Sequence, residues 1–366
     1  MKTPNVSLEG KTILVTGAAG FIGARLTQIL LERIHSVHII GLDDMNDYYN
    51  PHLKYWRLEQ LHHSAALYFG SGSSFTFIHG SITNEELLKD IFSMYEPSLV
   101  VNLAAQAGVR YSIDHPGTYI ESNLVGFYRI LEACRHSHDG GRNGVEHLIY
   151  ASSSSVYGGN TKMPYSTGDK TDKPVSLYAA TKKSNELLAY AYSELYRLPA
   201  TGLRFFTVYG PAGRPDMAYF KFIDRLTQGE NIQLYNYGNC MRDFTYVDDI
   251  VEGILRVMKC APAPAVSDNG CCVAPHSVYN IGNSQPVKLL DFVQILQEET
   301  VKAGLLPCDY DFALHTEFLP MQLGDVVATY ADTSPLEHDF GFHPTTPLQL
   351  GLRSFVQWYR DVYMKL

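Results

Sequence analysis

Short apolar runs alternate with amphipathic stretches through the first two hundred residues. Thr12-Ile13-Leu14-Val15-Thr16 is apolar and β-branched and breaks at Gly17, and apolar positions then recur at helical spacing from Phe21 to Leu31, which predicts strand, tight turn, helix. Val37 to Leu42 predicts a second strand ending in Asp43-Asp44, and 75–78, 99–103 and 147–150 predict three more, with helical stretches at 85–94 and 119–136 between them. Strands alternating with helices imply an α/β chain built on a doubly wound parallel sheet, because parallel neighbours need a crossover that helices supply.

The pattern loosens after Phe205-Phe206, where Tyr209-Gly210-Pro211-Ala212-Gly213-Arg214-Pro215 is dense in turn formers. A boundary there divides a first lobe, 1–208, from a smaller C-terminal α/β lobe, 209–366, with interleaving allowed. Helices are predicted at 219–228, 248–258 and 289–303, a surface loop at 260–276, and a docked terminal helix over 350–366, where Leu352, Phe355, Val356 and Tyr359 recur at helical spacing.

Composition then removes whole classes. Of 366 residues, 45% are hydrophobic and 18% charged, ordinary globular usage that excludes disordered, collagen-like and coiled-coil chains. The formal net charge is -9 with no dense basic run, so nucleic acid is not an expected partner. No apolar stretch approaches the ~18–20 residues of a membrane helix, and Met1 to Gly10 is too polar for a signal peptide. No membrane partner is therefore expected, and the expected location is the cytoplasm. Six cysteines without a CxxC pair argue against a disulfide framework and a structural zinc, and no metal site is expected.

Three local patterns carry chemistry. Gly17-Ala18-Ala19-Gly20-Phe21-Ile22-Gly23 lies between predicted strand and helix, where missing side chains let backbone N–H groups and the helix dipole meet a dinucleotide's diphosphate. Asp43 ends the second strand, where a carboxylate bonds the adenosine ribose hydroxyls and repels a 2′-phosphate, which favours NAD over NADP. Tyr178 and Lys182 stand at i and i+4 of a predicted helix whose apolar residues include Leu177, Leu187, Leu188 and Leu195, so phenol and ammonium share one face. A nearby cation favours phenolate, a base useful near neutral pH. Chance pairs of this kind are expected among 25 tyrosines, but the run Ser152-Ser153-Ser154-Ser155 adds hydroxyls directly after a strand, at the sheet edge where open parallel sheets bind ligands.

With these segments, and with Asn102-Leu103-Ala104-Ala105-Gln106, Arg204-Phe205-Phe206 and Arg242-Asp243-Phe244-Thr245-Tyr246-Val247-Asp248-Asp249, the chain resembles the extended short-chain dehydrogenase/reductase family, and within it the nucleotide-sugar epimerases. The resemblance implies a Rossmann sheet as an NAD-binding first lobe and a UDP-sugar-binding second lobe. It implies Ser153, Tyr178 and Lys182 as catalytic residues, with Tyr178 and Lys182 also touching the cofactor. Gly17, Gly20, Phe21, Ile22, Gly23, Asp43, Ala104 and Asn123 map to cofactor contacts, while Ser81 replaces the aspartate that relatives usually place against adenine. Dehydratases of the family carry an Asp-Glu pair, and decarboxylases a glutamate, where this chain has Ser154-Ser155, which fits epimerisation.

Ala105 to Ser112 and Gly210 to Met217 are similar to UDP-glucuronate 4-epimerases, which implies Arg110, Ser154, Ser155, Thr207, Arg214, Arg242 and Asp325 as substrate contacts. Arg214 suits a carboxylate, Arg110 that group or the diphosphate, and Arg242 resembles the family arginine that binds the diphosphate. The implied reaction inverts carbon 4 of UDP-glucuronate to give UDP-galacturonate by way of a 4-keto sugar, in a homodimer. The alternatives are a 4-epimerase for UDP-glucose or UDP-N-acetylglucosamine, and a non-catalytic NAD-binding sensor or scaffold, which has no need of Ser153, Tyr178 and Lys182.

Overall fold

A computed structural model of the chain describes residues 1–140, 144–266, 272–322 and 326–366. Its strands are β1 (Thr12–Thr16), β2 (His38–Asp43), β3 (Ser74–His79), β4 (Leu99–Asn102), β5 (His147–Ser153), β6 (Ala200–Phe205), β7 (Thr207–Tyr209), β8 (Ile232–Tyr235), β9 (Met241–Tyr246), β10 (Ala265–Val266), β11 (Cys272–Val273), β12 (His276–Ile281), β13 (Pro286–Lys288) and β14 (Thr316–Leu319). The helices are α1 (Phe21–Arg33), α2 (His52–Leu67), α3 (Glu85–Tyr95), the single turns α4 (Tyr111–Asp114) and α5 (Pro116–Tyr119), then α6 (Phe127–Gly140), α7 (Leu177–Tyr196), α8 (Ala218–Thr227), α9 (Val247–Met258), α10 (Leu289–Lys302), α11 (Ser334–Phe340) and α12 (Leu348–Asp361).

Seven parallel strands form the main sheet in the order β12-β6-β5-β4-β1-β2-β3. Ile13, Leu14, Val15, Val100, Val101, Leu148 and Ile149 are fully buried, as near-continuous apolar runs must be when helices cover both faces of a sheet. One face packs Leu26, Ile29 and Leu30 of α1 with Ile250 and Ile254 of α9, and the other packs Leu88 and Ile91 of α3, Ile130 and Leu131 of α6 and Ala189 of α7. The strand order reverses between β1 and β4, which leaves a crevice at their carboxyl ends.

Residues beyond 208 contribute to both halves. β12 and α9 join the main sheet and its core, whereas Tyr219, Phe220, Phe292, Phe355 and Tyr359 build a separate aromatic core beside the small sheet β13-β9-β7. The helix expected over 119–136 is interrupted by a π-helical stretch, Ile120–Gly126, before α6 begins. The loop expected over 260–276 holds the short antiparallel pair β10 and β11, and its residues 267–271 lie outside the described ones. Helix α7 departs most from expectation. It buries Ala179, Thr181, Lys182, Asn185, Glu186, Ala189 and Ser193, while Leu187 and Leu195 are 60% and 70% exposed. Among the described residues no helix is long and apolar enough to cross a membrane, and no cluster of His, Cys, Asp or Glu is arranged to hold a metal.

Candidate active site

A cavity of about 830 Å³ opens at the carboxyl ends of the main strands, within the range of small-molecule sites. Gly17, Gly20, Phe21, Ile22, Gly23, Asp43 and Ala104 line one end, Ser154, Ser155, Tyr178 and Lys182 the middle, and Thr207, Arg214 and Arg242 the other end. Ser81 also lines it. Two expected contacts, Asn123 and Arg110, and the expected catalytic Ser153 are not among the residues that line it. Asn123 is buried, its side-chain oxygen accepting from Gln106 N at 2.8 Å and its amide donating to Gln106 O and Thr181 Oγ1, so it ties the segment after β4 to α7. Arg110 lies over the Tyr235 ring, 4.8 Å from its centroid. Asp325 lies outside the described residues.

The glycine turn has the shape a dinucleotide needs. Gly17 takes φ +70°, and a Cβ there would lie 2.9 Å from Ala104 N, so only glycine lets the turn rest against the end of β4. A Cβ at Gly23 would fall 2.1 Å from Gly17 O, which fixes how closely α1 meets the turn. Gly20 caps α1 without a side-chain bond, and no acidic residue sits in the first turn, so the helix presents its N–H groups and positive dipole end to an anion. Asp43 accepts from Ala19 N at 3.1 Å and Met45 N at 2.9 Å and lies 3.6 Å from Lys54 Nζ. A carboxylate has about four acceptor sites, so two remain for ribose hydroxyls at the cavity wall. These residues fit NAD.

The catalytic candidates meet where β5 ends and α7 begins. Ser153 closes β5 and accepts from Ser155 N at 3.1 Å, which turns the chain into a 3₁₀ helix and puts Ser154 and Ser155 on the cavity. Ser176 caps α7 by accepting from Ala179 N, so the helix starts with Tyr178 facing the cavity. Burial raises the Tyr178 phenol above its usual value, opposed by the hydrogen bond with Ser153 and by the charge of Arg214, with Asp216 adding to the rise. Burial pushes the Lys182 ammonium down to about 8, and it donates to Ala151 O at 2.9 Å. The charge of Arg214 also acts on the phenol, a cation that the expected helix-face pairing with Lys182 did not include.

At the far end Arg214 forms a two-pronged pair with Asp216, Nε to Oδ1 at 2.9 Å and Nη2 to Oδ2 at 2.6 Å. Arg242 Nη1 donates to Met241 O and Val327 O, bonding β9 to the segment that carries the cavity residues Val326 and Thr329.

Behind the site is a buried polar layer that pattern reasoning missed. Glu186 accepts from Arg204 Nε at 2.7 Å, Arg204 Nη2 at 2.8 Å and Ser152 Oγ at 2.6 Å, and Arg204 Nη1 donates to Tyr157 OH, which donates to Asn280 Oδ1. Glu186 stands one helical turn beyond Lys182, so this ion pair pins α7 to β5 and β6 beneath the catalytic groups. Arg57, on α2, is a second buried charge of this kind. The spacing of Lys182 and Glu186 on one helix face was the available signal for the first; the second had none.

Residues 13–282 match the NAD dependent epimerase/dehydratase family. UDP-glucuronate 4-epimerase 4 of Arabidopsis thaliana is 43% identical over 363 residues, covering 97% of this chain and 76% of the relative. The crystal structure of a UDP-glucuronic acid 4-epimerase from Bacillus cereus, in complex with UDP-glucuronic acid and NAD, superposes with a TM-score of 0.80 at 29% identity, covering 96% of this chain and 100% of the other. A UDP-glucose 4-epimerase from Thermotoga maritima, with UDP-glucose, gives 0.76 at 27% identity, covering 96% and 99%.

Proposed function

The chain belongs to the NAD-dependent epimerase/dehydratase family, and on that premise we propose that it is a 4-epimerase converting UDP-glucuronate to UDP-galacturonate through a transient 4-keto sugar. The glycine turn, the start of α1 and Asp43 would hold NAD, which when bound supplies a reversible acceptor for the carbon-4 hydride. Tyr178 removes the proton of the sugar's 4-hydroxyl and returns one after inversion. The Ser153 hydroxyl and the charge of Arg214 oppose the burial that keeps the phenol protonated. Arg242 faces the diphosphate, so binding energy rests on the nucleotide while the sugar is free to turn.

The observation that carries the acidic-sugar reading is a guanidinium, Arg214, on the wall of the same cavity as the base, close enough to act on its charge. Asp216 takes only its Nε and Nη2 edge, and a uronate brings a carboxylate for the opposite fork where a neutral sugar brings none. Oxidation at carbon 4 makes the uronate a β-keto acid, which loses carbon dioxide fastest when the carboxylate bond stands perpendicular to the carbonyl plane. A fixed guanidinium, with Thr207 nearby, holds it away from that orientation.

Product chromatography on a panel of UDP-sugars tests the reading. The acidic pair is expected to interconvert ahead of UDP-glucose and UDP-N-acetylglucosamine, and Arg214→Ala is expected to bind UDP-glucuronate more weakly and accumulate a 4-keto-pentose. Faster turnover of the neutral sugars would replace this reading with the neutral-sugar one. Exposed Ile120, Tyr128, Leu187, Tyr190 and Leu195 on the outer side of α6, α7 and the π-helical stretch support a homodimer through these helices. The free state of Cys134, Cys240, Cys260, Cys272 and Cys308 suits the cytoplasm.

A further inference from the structure

Arg214 already holds a carboxylate. Asp216 takes the guanidinium by its Nε and Nη2 edge, and Tyr48 OH donates to the same Asp216 Oδ2 at 3.2 Å. Tyr48 comes from the loop after β2, on the cofactor side, so its bond to Asp216 crosses from one loop set to the other. A Cβ at Gly108 would lie 2.6 Å from the Tyr48 hydroxyl, and the Tyr48 ring stands edge-on to Tyr111 at 4.8 Å. The hydroxyl is therefore held where it is from two sides. Asp216 and Arg214 are only 20% and 24% exposed. An arginine offers five N–H donors, and a bidentate partner on the Nε edge leaves the opposite fork, Nη1 with the second Nη2 proton, available. Among the described residues the side-chain hydrogen bonds of Arg214 run from Nε and Nη2 and none from Nη1, and the residue lines the cavity.

We propose that Asp216, steadied by Tyr48, is the positioning residue of the acidic-sugar site: it fixes the plane of the Arg214 guanidinium so that the free fork meets the carbon-6 carboxylate in one orientation. The inference rests on the acidic-sugar reading above. Its signature is a conflict between affinity and orientation. Asp216 places a second negative charge on the guanidinium that must bind the sugar's carboxylate, so it opposes binding while it fixes geometry. If orientation fails, the carbon 5–carbon 6 bond of the 4-keto uronate breaks, its electron pair enters the carbonyl to form an enolate, carbon dioxide leaves, and a solvent proton is taken up at carbon 5. When the 4-keto-pentose leaves before its carbonyl is reduced, the hydride taken from carbon 4 is left behind as reduced cofactor.

Asp216→Asn and Tyr48→Phe, measured beside the wild type with UDP-glucuronate, test this through KM, kcat and the ratio of 4-keto-pentose to UDP-galacturonate. Asp216→Asn is expected to leave KM unchanged or lower while the by-product ratio rises about tenfold or more, and Tyr48→Phe to shift the ratio the same way by less. A merely structural role predicts a KM raised about tenfold with the wild-type ratio, and that result, or no change in the ratio, overturns the proposal. If Asp216→Asn fails to fold, judged by melting and cofactor retention, the ratio from Tyr48→Phe decides alone, since its ring contact with Tyr111 persists. A wild type that ignores UDP-glucuronate but turns over neutral sugars overturns the acidic-sugar reading itself, and with it this inference, before any variant is compared.

Discussion

Arg57 should hold the cofactor turn and the Arg214 loop together, and its removal is expected to weaken both. It is 2% exposed, with Nη1 donating to Ala19 O at 3.0 Å and Tyr49 OH at 2.7 Å, Nε and Nη2 to Ala212 O at 3.1 and 2.7 Å, and Nη2 to Gly213 O at 3.0 Å. Ala212, at φ 54°, is a non-glycine residue in the left-handed region, two positions before Arg214. Arg57→Met strips donors from three interior carbonyls, at about 1–3 kcal/mol each. Release of a buried guanidinium from its desolvation cost returns several kcal/mol of that, and the strain at Ala212, of order 1–3 kcal/mol, relaxes. The net loss is then about 2–4 kcal/mol, which in a chain of 366 residues lowers the melting point by roughly 3–5 °C. Scanning calorimetry, with KM for UDP-glucuronate and the fraction of NAD retained after gel filtration, measures it. Both ligand readouts should worsen together, since one side chain serves both loops. Arg57→Lys should recover little, because one ammonium cannot reach three carbonyls on two loops. A methionine variant that melts with the wild type and binds both ligands normally would refute the reasoning.

Tyr178→Phe is expected to retain folding and NAD while losing about 10²–10⁴ in kcat, the usual share of a general base; near-normal turnover by product chromatography would end the mechanism. Asp43→Ala is expected to weaken NAD retention more than UDP-glucuronate binding, and titration calorimetry showing unchanged cofactor affinity would remove Asp43 from that site. Glu186→Gln leaves the buried Arg204 short of its charge partner and is expected to cost about 3–5 kcal/mol in urea unfolding. Burial alone would raise the Glu186 carboxyl, but the hydrogen bonds and charge of Arg204 hold it below the usual glutamate value. Its stabilisation is therefore present above the unfolded pKa of ~4.3 and is lost as pH falls through the folded one, so wild type and variant should converge in acid. If the proposed homodimer forms through α6 and α7, Leu187→Glu, which puts a charge on the exposed face of α7, is expected to convert it to a monomer by analytical ultracentrifugation; a monomeric wild type, or a dimer unaltered in the variant, would refute that interface.

Strands β1, β2, β4 and β5 were legible because a strand covered on both faces reads as a nearly unbroken apolar run, as Ile13 to Val15 and Leu99 to Val101 do. The glycine turn was legible from its place between strand and helix. β12 was not, since it joins the sheet beside β6 from more than seventy residues away, and nothing local to His276–Ile281 encodes that partner. α2 was missed for a different reason. Its buried positions are Leu53, Lys54, Arg57, Leu61 and Ser64, so a search for an apolar stripe finds a helical period only half filled.

The same rule explains why the site itself was harder to read than the scaffold. The buried face of α7 carries Thr181, Lys182, Asn185 and Glu186, and its leucines 187 and 195 point outward, the reverse of what hydrophobic periodicity assigns. A helix that supports a polar cavity must face the sheet with hydrogen-bonding side chains, because each buried donor and acceptor needs a partner there. Asn123 bonds Gln106 and Thr181, Asn185 donates to Asn123 O at 2.6 Å, and Glu186 takes Ser152 and Arg204, so one polar layer runs from α7 to the ends of β4, β5 and β6. Arg57, Tyr48 and Asp216 extend the principle to the loops, where each partner is distant in sequence or, for Arg214 and Asp216, too close to be read as a pair by any helical or strand period. Local sequence breaks its own pattern where the fold is made to hold charge, and those breaks mark the residues whose substitution should separate binding from chemistry.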